Sequence, residues 1–280
     1  MRSASMLLTL GLALVAVHAP SAPTEASPPA APAPGPHPPM SLDTCGAPSM
    51  PAARIKARAL VEQIRDELAA VEDEIRSVPF IPAIEAGTVS IEGIAAVVAE
   101  EYGIISSDLS SFTIMADRWD GPGSHFFGDL AYGESLAQPL VLDFAATVGL
   151  DEQDLVEYEP RPAAQTYPSR VAWIANNADR ASAAASFLVN FDVFGENMAR
   201  IRDALITVYG FEADEIAFFS FFAEPIPGFE DDAIEVIATG LHEGACPRDV
   251  RRSARLLQAY ELDFWQAASE PPGSPLPVVW

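Results

Sequence analysis

Glu261 is the residue whose type and position invite chemistry. It stands among Leu257, Tyr260, Phe264 and Ala268, which recur at the i, i+3, i+4, i+7 spacing of one helical face, so the pattern puts a carboxylate on the apolar side of a helix. A carboxylate so placed must be paired, hydrogen-bonded or protonated, because burying its charge uncompensated is costly. Two outcomes stay open. It ties helices together through a neighbouring Tyr or Arg, or it faces a cavity where a raised pKa suits proton transfer near neutral pH.

Metal chemistry finds little to work with. Of the four histidines, His18 and His37 lie in the N-terminal stretches, His125 at a helix start and His242 at a helix end beside Glu243. None has the spacing of a ligand set, and Cys45 and Cys246 are too far apart in the chain to suggest a metal site. The two cysteines lie outside the helical cores. Either they form one disulfide, pinning the end of an N-terminal linker to the loop before the last helix, or they are two free thiols.

The elements that must position such groups read as helices throughout. Ser49 and Pro51 start one with Ala57, Leu60, Val61, Ile64, Leu68, Val71 and Ile75 on its buried face. Ser90 caps a second from Ile91 to about Tyr102, and a third is expected from Ser106 to Trp119. A long apolar stretch from Ser124 to Gly149 contains Pro139, which is expected to kink or split it. The most regular stripe lies between Ala181 and Tyr209: Phe187, Phe191, Phe194, Met198, Ile201, Leu205 and Val208 alternate by four and three. Its first half is apolar all round, the mark of a central helix. A short aromatic helix from Asp214 to Phe222 and another from Phe229 to Leu241 precede the helix that carries Glu261. No strand alternation of useful length appears, so the fold class is all-α.

The ends differ. Arg2 followed by the apolar run Met6 to Val17 has the layout of a secretory signal over residues 1–19, too short for a comfortable membrane span. Residues 20–50 are rich in Pro and Ala and read as a disordered linker, the bundle occupies 51–269, and 270–280 form a Pro-rich tail. The expected location is secreted or periplasmic, or anchored if the signal is not cleaved. The formal charge of −24, from 16 basic and 40 acidic residues, disfavours nucleic acid as a partner.

Tyr260-Glu261 followed by Phe264-Trp265, on the last long helix of an all-helical chain, resembles the closing segment of the TenA family, the thiaminase II type proteins. The run from Phe80 to Ser90 resembles the matching segment of the wider haem-oxygenase-like group, which includes pyrroloquinoline quinone synthase and diiron oxidases. The resemblance implies a haem-oxygenase-like helical bundle, a homo-oligomer, and a cavity built from a helix-borne acid, a nucleophilic Cys with a Tyr one turn on, a second Tyr on the aromatic helix, and the Glu of the last helix. Glu261 matches that last Glu and Glu101 the first acid. Asn190 stands in the place of the Cys, Phe194 one turn on, and Phe222 where the second Tyr is expected, so the thiolate of the covalent hydrolases is missing. Of the diiron ligands, Glu134 with Asp192 or Glu196 are the remnants, unless Glu196 pairs with Arg200.

The expectation is therefore an exported TenA-like protein that binds or transforms a small heterocyclic molecule in an internal cavity, with neither metal nor cofactor. Glu261 and Glu101 are its candidate catalytic groups; Asn190, Phe194, Glu196, Phe222 and Tyr260 are its candidate ligand-binding ones. As an enzyme it would be a metal-free hydrolase or oxidoreductase. The alternatives are a binding or structural module that kept the bundle and lost catalysis, and a degenerate diiron oxidase.

Overall fold

A computed structural model of the chain describes residues 45–270. The expected signal sequence, most of the expected linker and the tail beyond residue 270 lie outside the described residues. Those described form α1 (Met50–Arg76), α2 (Phe80–Glu85), α3 (Ile91–Arg118), α4 (Pro122–Thr147), α5 (Glu152–Glu157), α6 (Thr166–Asn177), α7 (Arg180–Ala204), α8 (Ala217–Ala223), α9 (Phe229–His242) and α10 (Pro247–Ala268). A π-helical turn, Leu205–Tyr209, extends α7 and stops at Gly210, whose φ of 77° is left-handed. No strand occurs among the described residues.

Each long helix follows from local sequence. Ser90 caps α3, its hydroxyl accepting from the Gly93 amide at 3.2 Å, and Asp179 caps α7 by accepting from the Ser182 amide at 2.9 Å. Ser49 precedes α1 without a side-chain bond to it, and Pro51 opens the first turn. The two helices expected around residues 91–119 are one. Ser106 does not cap a new helix; its hydroxyl donates back to the Tyr102 carbonyl at 3.0 Å. The buried stripe Glu101, Ile104, Ile105, Asp108, Phe112 and Met115 runs in register through Gly103, so packing overrides the glycine's helix cost of about 1 kcal/mol. Likewise α4 passes Pro139 without being split.

Helix α7 is the axis of the bundle. From Ala181 to Asn190 every residue is buried, as its all-round apolar composition predicts, and α1, α8, α9 and α10 pack on it, while α3 pairs with α4 and α6. The ring of Phe112 on α3 meets that of Phe187 on α7 edge-to-face with centroids 4.9 Å apart. Gly240 lets α9 press against α7: a Cβ there would lie 2.7 Å from the Ala181 Cβ and 2.8 Å from the Ala181 nitrogen. Cys45 and Cys246 are disulfide-bonded across a sequence separation of 201, joining the segment before α1 to the residue that caps α10. No helix among the described residues is long and apolar enough to cross a membrane.

Candidate functional site

The bundle forms a cavity of about 770 Å³ that opens to the surface near the exposed Tyr132 and Ile226, lined by residues of α3, α4, α6, α7, α8, α9 and α10. Four carboxyl groups from three helices meet in its wall. Helix α3 supplies Glu101 and Asp108 two turns apart on one face, α4 supplies Glu134, and α10 supplies Glu261. They are 3 %, 3 %, 8 % and 2 % exposed, respectively. Tyr167 of α6 lines the cavity beside them.

These acids differ in how they are satisfied. Glu261 accepts from the Trp265 indole N–H at 2.7 Å, one turn along the same helix. Glu101 Oε1 and Asp108 Oδ1 are buried with no hydrogen-bond partner. The adjacent Glu100 shows the structural alternative. It is equally buried, but it lies outside the cavity lining and accepts from the Tyr158 hydroxyl at 3.0 Å and the Arg161 amide at 2.9 Å.

Electrostatics follow from this crowding. Burial pushes the Glu261 carboxyl up to about 7, against the opposing effect of the Asn190 amide and the Trp265 indole. Burial takes Glu134 up to about 8. Glu101 is held well above the usual carboxylate range by burial and then by Glu261, Glu134 and Glu100. Asp108 is raised well above its usual value by burial and then by Glu134, Glu101 and Glu261. Burial, followed by the same acids, also raises the Tyr167 phenol. Four carboxyls near one another cannot all ionise cheaply, so the site holds protons at a pH where free carboxylates have lost them.

The opposite wall is aromatic. Phe194 and Phe222 meet edge-to-face at 5.4 Å, and Phe191 stacks on Phe229 at 5.4 Å with planes 10° apart. A Cβ on Gly195 would come within 3.2 Å of the Phe222 carbonyl, so this glycine allows α8 to lie directly on α7 at the cavity wall.

The structure distributes the sequence candidates unevenly. Glu261, Glu101, Phe194, Glu196 and Phe222 all line the cavity. Asn190 and Tyr260 do not. Asn190 is buried behind the wall, where its Oδ1 accepts from the Tyr167 hydroxyl at 3.2 Å and its Nδ2 donates to Gln258 Oε1 at 3.0 Å. Gln258 continues the chain, donating to Glu72 Oε1 and the Val189 carbonyl at 3.4 Å each. Asn190 thus fixes Tyr167 and links α6, α7, α10 and α1. Tyr260 is half-buried on another side of α10, near Arg170, because the residue next to Glu261 is turned about 100° around the helix. Glu196 does not pair with Arg200: it accepts from Arg76 Nε at 2.5 Å, and Arg200 is bidentate on Glu85 at 2.7 and 2.9 Å.

Sequence reasoning missed Asp108 and Tyr167, and it treated Glu134 only as a metal remnant. The spacing from Glu101 to Asp108 was the available signal, visible once α3 is read as one helix. Among the described residues no group of three or more His, Cys, Asp or Glu is arranged to hold a metal ion. Asp192 is bound by Arg65 at 3.1 Å, and His125 and His242 are exposed away from the cavity.

The sequence matches no protein-family model and no curated protein. Among solved structures the similarity is clear. A TenA homologue from P. horikoshii OT3 shares 15 % identity with a TM-score of 0.62, covering 75 % of this chain and 97 % of its own. A TenA homologue from Pseudomonas syringae pv. tomato DC3000 has 10 % identity and a TM-score of 0.65 over 75 % and 92 %. A domain of unknown function with a haem-oxygenase-like fold, from Shewanella denitrificans OS217, has 18 % identity and a TM-score of 0.60 over 74 % and 89 %. The chain is therefore an all-α bundle of the haem-oxygenase-like class. Within that class its fold is that of the TenA homologues.

Proposed function

We propose that this protein binds, and by proton transfer transforms, a small heterocyclic molecule in the cavity without a metal, with Glu261 as the acid/base and Glu101 as its partner carboxyl. The observation that carries this reading is that Glu261, buried at the cavity wall, has its carboxyl raised to about 7, within reach of both protonation states at neutral pH. The fold shared with TenA homologues supports a small molecule as the ligand.

Export is part of the proposal. The signal-like residues 1–19 suggest it, and the Cys45–Cys246 disulfide supports an oxidising compartment. A homo-oligomer is proposed on the resemblance alone.

A second reading, a binding protein without turnover, is favoured by one feature. Among the residues that line the cavity there is no Cys, Ser, Thr, Lys or His, which leaves only carboxylates and phenols for any covalent step. Native mass spectrometry of the exported protein, with a panel of pyrimidines and quinone precursors, separates the readings. Turnover that is lost in Glu261→Gln while binding persists supports catalysis. Binding with no chemical change in any panel member supports the second reading, and binding and turnover untouched by Glu261→Gln overturn the role of this residue.

A further inference from the structure

The charge of the ligand is written in what surrounds the cavity. Every ionisable side chain that lines it is an acid or a phenol; no Lys, Arg or His does so. In the deep part these are Glu101 and Asp108 from α3, Glu134 from α4, Tyr167 from α6 and Glu261 from α10. Toward the outside, α4 adds Asp129 and Tyr132, α7 adds Asp192 and Glu196, the segment after α8 adds Glu224, and α9 adds Glu230. Arg65, Arg76 and Arg202 pair with four of these outer acids but do not line the cavity.

No cationic side chain in the lining would pair with an entering anion, and any lining acid that is ionised repels it. A neutral ligand brings no charge to offset the deep carboxyls, which then stay protonated. A cation lets them ionise and supplies N–H donors to Glu101 Oε1 and Asp108 Oδ1, two buried carboxyl oxygens that have no partner. The facing wall of Phe191, Phe194, Phe222 and Phe229 offers ring faces and edges to an apolar body or to the charge itself.

Resting on the function proposed above, we infer that the ligand is an organic cation: an amine with a flat apolar body, its ammonium seated among Glu101, Asp108, Glu134 and Glu261 and its body against the phenylalanine wall. Because these acids hold protons when the cavity is empty, a bound ammonium displaces them, and binding releases protons to solvent.

Isothermal titration of the full-length protein with three matched probes tests this: phenethylamine, the neutral 2-phenylethanol and the anionic phenylacetate, at pH 7 in phosphate and in the zwitterionic buffer HEPES. The expected result is a preference of about tenfold or more for the amine over the alcohol, no binding of phenylacetate, and a heat that changes with buffer because protons are released. Glu101→Gln and Asp108→Asn are expected to erase most of the preference. If a variant fails to fold, the wild-type ranking and proton count still decide. Equal binding of alcohol and amine, binding of phenylacetate, or a heat independent of buffer overturns the inference. If neutral pyrimidines bind and the amine does not, the cation is wrong and the proposed function stands; if no probe of either kind binds, both fall.

Discussion

Trp265 donates its indole N–H to Glu261 Oε1 at 2.7 Å, so the carboxylate of the cavity is oriented from within its own helix, one turn away. The hydrogen bond favours the charged form and opposes the burial that raises the carboxyl to about 7. Trp265→Phe removes the donor but keeps an aromatic ring. The Glu261 carboxyl should then titrate above its present value, and the fold should lose about 2 kcal/mol from the lost bond and the smaller ring. Carbon-13 NMR of labelled glutamate and denaturant unfolding check the two effects.

The four deep carboxyls make stability depend on pH in an unusual direction. Their folded-state values are raised, so between the ordinary carboxylate range near 4.5 and about 8 the folded state binds more protons than the unfolded one. The stabilising contribution is complete below about 4.5 and is lost as pH rises through about 7 for Glu261 and about 8 for Glu134. Glu134→Gln removes one such group, so the variant should gain melting temperature relative to the wild type at pH 8.5 and gain little at pH 5. Paired thermal unfolding at the two values measures the difference, and a gain of the same size at both would contradict the assignment.

The disulfide joins residues 201 positions apart and anchors the start of α10. Replacing both Cys45 and Cys246 with Ala should cost about 2–4 kcal/mol. Chemical denaturation of the double variant, compared with wild type with and without reductant, reports the cost.

Gly240 lies where α9 packs directly on the first turn of α7. Gly240→Ala would drive a methyl into the Ala181 backbone nitrogen, which cannot move aside as a flexible side chain does. The expected loss is about 1–3 kcal/mol, even though alanine is the better helix former. Urea unfolding decides between those opposed effects.

What the sequence revealed was governed by periodicity. The inward direction of Glu261 could be read because Leu257, Phe264 and Ala268 mark the buried stripe on both sides of it. Tyr260 belongs to the same short motif but sits about 100° around the helix from Glu261, which spacing by three from Leu257 disguises. Asp108 was hidden by a different error. Ser106 is a residue type that caps helices, which predicts two helices in place of α3 and breaks the register linking Glu101 to Asp108. The Arg76–Glu196 pair joins residues 120 apart in sequence, beyond what any local pattern reports. A buried carboxylate also has no sequence mark that separates a satisfied one, such as Glu100, from an unsatisfied one, such as Glu101; only the partner atoms of distant helices do that.

Gly195 gives the chamber an adjustable dimension. The single hydrogen it carries in place of a side chain sets how near the Phe222 carbonyl, and with it the ring wall, can approach the acids across the gap. Substituting an alanine there would shift the short aromatic helix by a few tenths of an ångström and leave the four deep carboxyls, which lie on α3, α4 and α10, in place. Cavity size and cavity charge are therefore set by separate residues.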